Sequence, residues 1–225
     1  HAEYVVVSEN LCSRIDENTD IKEAAFTVLG SIALHGLRLS ETTLGSKVVV
    51  IGLGVIGQLV CRLAEAQGSE VTGIDPDPER SKNRENFFTS ADEVELTDVD
   101  TVIITAATSS NEPVELATKI ARNKAKIVIV GDIPLNISRN DFYYKELELV
   151  VSKSYGPGRY DKQYEALGND YPIEYVRWTE NRNFEAFTKL LSQKQIHLLD
   201  LVSEEVAFED APSIYEKFDD EIKPL

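Results

Sequence analysis

Five short runs of apolar, largely β-branched residues recur along the middle of the chain, at residues 48–51, 71–74, 101–105, 126–130 and 147–152. Continuous runs of this kind are typical of parallel strands that are buried on both faces of a sheet. Segments with helical spacing of apolar residues separate most of these runs. The pattern therefore predicts an α/β fold, a doubly wound parallel sheet with right-handed crossovers and ligands at the carboxyl ends of its strands.

Apolar spacing and capping residues also predict where the helices lie. We expect Asp20 to start a helix that runs to about residue 39, with Glu23 completing an acidic capping box. The other helices are predicted at residues 55–67, 111–123, 181–194 and 207–218, the last with Ile214 and Phe218 facing inward. Two further strands are predicted at residues 2–7 and 199–202.

A glycine-rich turn follows the first of the five runs and carries the clearest sign of a function. Gly52, Gly54 and Gly57 form a G-x-G-x-x-G pattern between a strand and a helix, and Asp75 ends the next strand. In the Rossmann fingerprint these glycines allow a tight turn, an approach of the backbone to a pyrophosphate and close packing of the helix. The acid accepts the ribose hydroxyls and repels a 2′-phosphate, so NAD is favoured over NADP. The alternative keeps the fold without the ligand and makes Asp75 a turn acid before Pro76.

The order of motifs around this turn resembles the medium-chain dehydrogenase/reductase superfamily, the relatives of zinc alcohol dehydrogenases. The similar features are A-E-Y in a strand, A-A in a helix, a linker helix and G-x-x-V-x-V before the glycines. The tail LLDLVSEEVAFEDAPSIYEKF is similar to the family's return segment. The segments SYGPGRYD and YPIEYVRWTENRN resemble a bacteriochlorophyllide dehydrogenase-like and threonine dehydrogenase-like subgroup, some of whose members are fused to a second oxidoreductase domain.

This resemblance implies three parts of the chain. Residues 1–40 would be the edge of a GroES-like catalytic domain with a linker helix, residues 41–158 the dinucleotide-binding domain, and residues 159–225 the return segment. We expect the rest of the catalytic domain to lie upstream, so that only remnants of it are present. Family members also carry a further helix and strand between Arg80 and Thr101, which we expect to be missing here.

The resemblance also places cofactor contacts beyond the glycines and Asp75. Backbone groups after the run at residues 126–130 would face the nicotinamide carboxamide, the loop after the run at residues 147–152 would close the nicotinamide pocket, and Ser31 would pack on the ring. The expected contacts are Val55, Ile56, Arg80, Ala106, Ala107, Thr108, Val130, Gly131, Asp132, Ser154 and Tyr155. Ordinary loop chemistry is the alternative for each of them.

Arg159 is the candidate for binding the substrate. It lies in a Gly-Pro-Gly loop at the expected active edge, and a guanidinium group matches a carboxylate or phosphate. Lys153 is a weaker candidate of the same kind, and a solvated surface arginine is the alternative for Arg159.

Catalytic zinc, a property of many family members, is not expected in this chain. Thr27 stands at the position of the late cysteine ligand, and a neutral hydroxyl is a poor zinc ligand. His35 and Cys61 do not have the spacing to replace it and are interpreted as packing residues. The sequence names no metal ligand and no general acid or base.

Composition narrows the class of protein. The 225 residues are 42% hydrophobic and carry a formal net charge of −16, which argues against binding nucleic acid or an anionic membrane surface. Cys12 and Cys61 provide neither a disulfide framework nor a zinc cluster. No apolar run is long enough for a membrane span, so we expect a cytoplasmic protein with a small-molecule substrate.

These observations lead to one leading function and two alternatives. The leading one is an NAD-dependent oxidoreductase that moves a hydride between nicotinamide and a secondary alcohol or its carbonyl. The alternatives are a zinc-free NADPH-dependent quinone or enoyl reductase and a non-catalytic NAD(H)-binding module of a larger fused protein. The resemblance further implies a homodimer formed through the last strand, at residues 147–152.

Overall fold

A six-stranded, fully parallel sheet organises the computed structural model, which describes residues 3–82 and 84–220. Its strand order is β3-β2-β1-β4-β5-β6, so the chain reverses direction along the sheet after β3, as the doubly wound pattern predicts. The strands are β1 (Lys47–Ile51), β2 (Glu70–Ile74), β3 (Phe87–Phe88), β4 (Val99–Ile104), β5 (Ala121–Ile129) and β6 (Glu148–Val151).

Helices cover both faces of this sheet. They are α1 (Ile21–Ala24), α2 (Thr27–Ser40), α3 (Val55–Ala66), α4 (Pro78–Ser81), α5 (Glu112–Ile120), α6 (Arg139–Lys145), α7 (Lys162–Glu165), α8 (Glu180–Ser192) and α9 (Ala211–Asp220). Alternate residues of β1 contribute to two separate cores: Val48 and Val50 to the core with α2, α3 and α8, and Val49 to the core with α5. The α/β Rossmann-type fold predicted from the sequence is confirmed.

The two outermost predicted strands are wrong. Of the strand predicted at residues 2–7, Ala2 lies outside the described residues, residues 3–7 form no strand with any described part of the chain, and Val6 is fully exposed. The second segment forms a 3-10 helix, Leu199–Leu201, because the chain there turns back over α3. Arg62 of α3 donates to the carbonyl of His197 and pairs with Asp200, which fixes this return.

The first predicted helix is divided into α1 and α2. Asp20 caps α1 as predicted, since its carboxylate accepts from the amide of Lys22. Glu23, however, does not complete a capping box. Its side chain is buried, and Oε1 accepts from the amide of Leu198 at 2.7 Å. A residue interpreted as a local cap therefore ties the start of the chain to its tail.

The predicted segment ends also shift between β2 and β5. The interval between Arg80 and Thr101 is closed by the one-turn α4 and the two-residue β3, a shortened version of the helix and strand expected to be missing. Helix α5 ends at Ile120 rather than residue 123, because Lys145 donates to the carbonyls of Thr118, Lys119 and Ala121 at its end.

The tail packs on the sheet domain through α8. Phe187 is fully buried against α2, where an added Cβ at Gly30 would lie 2.1 Å from its ring. Ile214 of α9 is half-buried, and the Phe218 side chain lies outside the described residues. The boundary predicted at residue 158 falls in the loop between β6 and α7 and stays a prediction. Among the described helices, none combines the length and apolar character needed to cross a membrane.

Candidate functional site: the glycine turn at the strand ends

The turn after β1 is held by contacts that only glycine permits. Gly52 has φ +97°, and a Cβ there would lie 2.6 Å from the backbone nitrogen of Ala106. A Cβ at Gly57 would lie 1.9 Å from the carbonyl oxygen of Gly52. The turn therefore presses against the end of β4 on one side and the first turn of α3 on the other.

This packing leaves the amino end of α3 open. Gly54 is the N-cap with an extended backbone, and it offers no side chain to cap the helix. In the described part of the chain, the amides of Gly54, Val55 and Ile56 donate to no backbone or side-chain acceptor. Three free donors at the positive end of a twelve-residue helix form a cradle for a phosphate group.

Asp75 joins the end of β2 to the same turn. It is 3% exposed, and its carboxylate accepts from the amides of Leu53 at 2.7 Å and Asp77 at 2.9 Å. Arg80 lies 3.3 Å from the same carboxylate. The hydrogen bond from Asp77 is the one expected of an acid that stabilises its own turn. The hydrogen bond from Leu53 holds the carboxylate against the glycine turn. The structure thus brings Asp75 and Arg80 together beside the turn.

Thr105 braces the turn and was missed as a site residue. Its hydroxyl donates to the carbonyl oxygen of Gly52 at 2.6 Å, directly below the first turn of α3. A threonine that ends a buried apolar strand opposite the glycine turn is the sequence signal for this contact.

The ends of β4 and β5 form the next wall of the site. The amide of Thr108 donates to the carbonyl of Asp132 at 3.0 Å, which ties the two loops together. Ala106, Val130 and Gly131 are half-buried, whereas Ala107, Thr108 and Asp132 are exposed. All six lie at the carboxyl edge, where the sequence places them.

The loop after β6 packs on α8. The Tyr155 ring lies 5.5 Å from the Phe184 ring, and Ser154 has φ +48°. Arg159 pairs with Glu165 at 2.7 Å and stacks on Tyr155. Its guanidinium group is therefore engaged within the chain.

The described residues do not fit a zinc site. The hydroxyl of Thr27 donates to the carbonyl of Ala24 at 2.6 Å, and that of Ser31 donates to the carbonyl of Thr27. Burial lowers the pKa of His35 to about 4 and raises that of the Cys61 thiol, as expected of packed side chains. No group of three His, Cys, Asp or Glu side chains in the described ranges is arranged to hold a metal ion.

Glu180 is a buried acid that sequence reasoning missed. It is fully buried at the start of α8, and both carboxyl oxygens lack a hydrogen-bond partner within the described chain. Burial, reinforced by Glu165 and opposed by Arg159, raises its pKa to about 7. Burial and the charge of Glu180 also raise the pKa of Tyr155. The acid thus lies beneath the loop that follows β6.

Comparisons with known proteins identify a dehydrogenase nucleotide-binding domain in this chain. Residues 19–140, more than half of the chain, match the family model described as the D-isomer specific 2-hydroxyacid dehydrogenase NAD-binding domain. A relative from Pseudoalteromonas atlantica, 2-dehydro-3-deoxy-L-galactonate 5-dehydrogenase, is 27% identical over 72% of this chain and 49% of its own length. The chain thus spans about half the length of that relative.

Solved structures share the fold. Galactitol-1-phosphate dehydrogenase from Escherichia coli superimposes with a TM-score of 0.76 and 22% identity, covering 99% of this chain and 64% of the other. A protein from Sinorhizobium meliloti, described as a zinc-binding dehydrogenase and bound to NADP, superimposes with a TM-score of 0.68 and 21% identity. The match covers 89% of this chain and 57% of the other. All three relatives are named as dehydrogenases, and the Sinorhizobium meliloti protein is described as zinc-binding, whereas the family model is described for 2-hydroxyacid dehydrogenases. The family model matches residues 19–140, which contain strands β1 to β5 and the glycine turn, so the match falls on the nucleotide-binding fold.

Replacing Glu180 by Gln should stabilise the protein at high pH. A folded-state pKa of about 7 against an ordinary value of 4.5 means that stability falls as pH rises from 4.5 through 7. At pH 8 we expect Glu180→Gln to raise the free energy of unfolding by about 3 kcal/mol, and near pH 5 by less than about 1 kcal/mol. Urea denaturation at both values measures this. Glu185→Gln, an exposed acid on the same helix, is the matched control. An equal effect of Glu180→Gln at both pH values would refute the assignment.

Proposed function

Because the chain belongs to the family of NAD-binding domains described for D-isomer specific 2-hydroxyacid dehydrogenases, we propose that it binds a nicotinamide dinucleotide as part of an oxidoreductase. The proposed reaction moves a hydride between nicotinamide and a secondary alcohol or its carbonyl. The relatives support this class, since they are named as a dehydrogenase of a sugar acid, a D-xylulose reductase and a butanediol dehydrogenase. We also propose that it belongs to the bacteriochlorophyllide dehydrogenase-like and threonine dehydrogenase-like subgroup, which the segments at residues 154–161 and 171–183 resemble.

The free amides at the start of α3 carry this proposal. The amides of Gly54, Val55 and Ile56 are positioned to donate to the pyrophosphate, and the absence of a side chain at Gly54 leaves the approach open. Bound nicotinamide supplies the hydride acceptor or donor. The chain's own task is to hold that ring at the carboxyl ends of β4 and β5, where the loops joined by Thr108 and Asp132 exclude water from one side.

Asp75 and Arg80 together set the proposed preference for NAD. The Asp75 carboxylate would repel a 2′-phosphate, whereas the Arg80 guanidinium would attract one. Asp75 retains a free acceptor site for a ribose hydroxyl, because a carboxylate has about four and three are used here. Since Arg80 is partly neutralised by Asp75 itself, we propose that the carboxylate dominates and NAD is preferred.

The proton-transfer group and the substrate contact are proposed to lie in the part of the protein beyond this chain. Arg159 stays a candidate for the substrate only if an anion displaces Glu165 from it. Thr27 and the lack of a metal cluster among the described residues favour a second candidate, a zinc-free reductase of quinones or enoyl groups. Asp75 opposes that candidate, because those relatives usually prefer NADPH.

We further propose a cytoplasmic homodimer that pairs two β6 strands edge to edge. Strand β6 is hydrogen-bonded to β5 on one side and ends the sheet on the other. Ser152 donates to Ile129 of β5, so the alternation of a parallel strand turns the amides of Leu149 and Val151 toward the open edge. Edge amides of this kind pair readily with a second strand.

The cofactor proposal is tested by titrating the protein with NADH and NADPH and measuring nicotinamide fluorescence. We expect wild type to bind NADH about tenfold more tightly, the equivalent of one unfavourable charge contact. Asp75→Asn should narrow that preference, because it removes the charge while keeping an acceptor for Leu53. Turnover of a panel of secondary alcohols by the full-length protein then tests the reaction. Preferential binding of NADPH by wild type contradicts the assignment, and binding without turnover favours the non-catalytic module.

The dimer is tested by sedimentation of the intact protein. Val151→Pro removes an amide that faces the open edge, so we expect this variant to sediment as a monomer while wild type sediments as a dimer. Thr72→Val in the interior strand β2 is a control that leaves the edge unchanged. A monomeric wild type would exclude this assembly.

A further inference from the structure

Trp178 is stacked between two arginines. The guanidinium carbon of Arg38 lies 3.3 Å from the centre of the indole ring, and that of Arg177 lies 3.8 Å from it. Two groups this close to one ring centre occupy opposite faces of the ring. Each stack is favourable, since the indole face attracts a cation, but it places two like charges around one side chain.

Neither arginine has a carboxylate partner within 4 Å in the described part of the chain. The chain has 39 acidic and 23 basic residues, and six of its other eight arginines form ion pairs in the described part of the chain. Those pairs are Arg62–Asp200, Arg80–Asp75, Arg84–Glu65, Arg122–Asp100, Arg159–Glu165 and Arg182–Asp170. The stack is therefore a local positive site on an acidic molecule.

The orientation of the Arg38 side chain is fixed by a hydrogen bond to a buried asparagine. Its Nε donates to Oδ1 of Asn183 at 3.0 Å, and Nδ2 of Asn183 donates to the carbonyl of Tyr155 at 3.0 Å. Asn183 is fully buried, so this support is rigid. The terminal nitrogens of Arg38 are not among the buried atoms that lack partners, so they reach solvent. The Nε edge of the guanidinium group is thus held by Asn183, and its two terminal nitrogens are open to a ligand.

The electrostatics of this site favour an anion. Burial and the charge of Arg177 lower the pKa of Arg38 to about 10, which keeps it charged at neutral pH. No acid among its described neighbours raises that pKa again. A half-buried cation without a counter-charge is costly, and an arriving oxyanion would offset that cost.

We propose that Arg38, Trp178 and Arg177 form a binding site for an extended oxyanion that carries two negative groups, such as a diphosphate or a dicarboxylate. Each guanidinium fork matches one phosphate or carboxylate group. The indole ring separates the two forks, so a ligand with two charged ends contacts both. None of its three residues belongs to the glycine turn or to the cofactor contacts named above, so the proposal does not rest on the proposed cofactor.

Trp178 itself reports on the site, because it is the one tryptophan of the chain. We expect inorganic pyrophosphate to change its fluorescence in a saturable manner, and succinate used in parallel distinguishes phosphate from carboxylate ligands. Arg177→Ala should raise the Kd about tenfold, as expected for the loss of one charge-assisted contact. Arg38→Lys, which keeps the charge but loses the fork, should weaken binding as well. Arg139→Ala is the matched control, because Arg139 stacks on Tyr143 elsewhere on the surface.

Several results would overturn the proposal. The first is the absence of a fluorescence response in wild type, and the second is an unchanged Kd in Arg177→Ala. The third is displacement of pyrophosphate by saturating NAD⁺, because that result would place the anion at the glycine turn. A change in emission that follows protein concentration rather than added anion would assign the site to an acidic group of a second copy. A failure to bind NAD⁺ with an intact pyrophosphate response would refute the proposed function and leave this site standing.

Discussion

The close approach of three backbone segments at the Gly52 carbonyl is the constraint on which the rest of the candidate site depends. This oxygen accepts a hydrogen bond from Thr105 at the end of β4, and it lies where a side chain at Gly57 would stand. Any Cβ in this contact would push α3 away from the sheet. With α3 seated in this way its first amides lie at the strand ends, and on the other side of the turn Asp75 accepts from the amide of Leu53. A local steric rule therefore sets the geometry of a site that spans four elements.

Residue spacing predicted those parts of the fold that depend on local patterns. The apolar runs located five of the six strands, and the glycine spacing located the turn, because burial on both faces and positive φ leave direct marks in a sequence. The two-residue strand β3 leaves no such mark. The strand predictions at residues 2–7 and 199–202 failed, in their described parts, for a related reason. Apolar alternation indicates a suitable strand, but it does not show whether a neighbouring strand is present to pair with it.

Single polar residues with distant partners were the least predictable part of the site. Glu23 was interpreted as a cap because its spacing from Asp20 fits one, whereas its true partner is 175 positions away at Leu198. Glu180 and Asn183 lie in a segment that supported the subgroup resemblance and the predicted helix at residues 181–194, but no role was predicted for either side chain. Their burial depends on the loop after β6 folding over α8. That loop leaves one charge on each side without a partner: a raised pKa at Glu180 and a lowered one at Arg38. An ionisable group that is buried without a charged partner is costly, which makes both positions candidates for a functional site.

The central claim is that the amino end of α3 holds the pyrophosphate of a dinucleotide. Amide hydrogen exchange, measured residue by residue with and without NAD⁺, tests it directly, because the amides of Gly54, Val55 and Ile56 donate to nothing in the described chain. The account predicts that NAD⁺ slows exchange at these three amides and leaves those at the end of α6, beside the amino end of β5, unchanged. Unaltered exchange at the turn in protein saturated with NAD⁺ would contradict it.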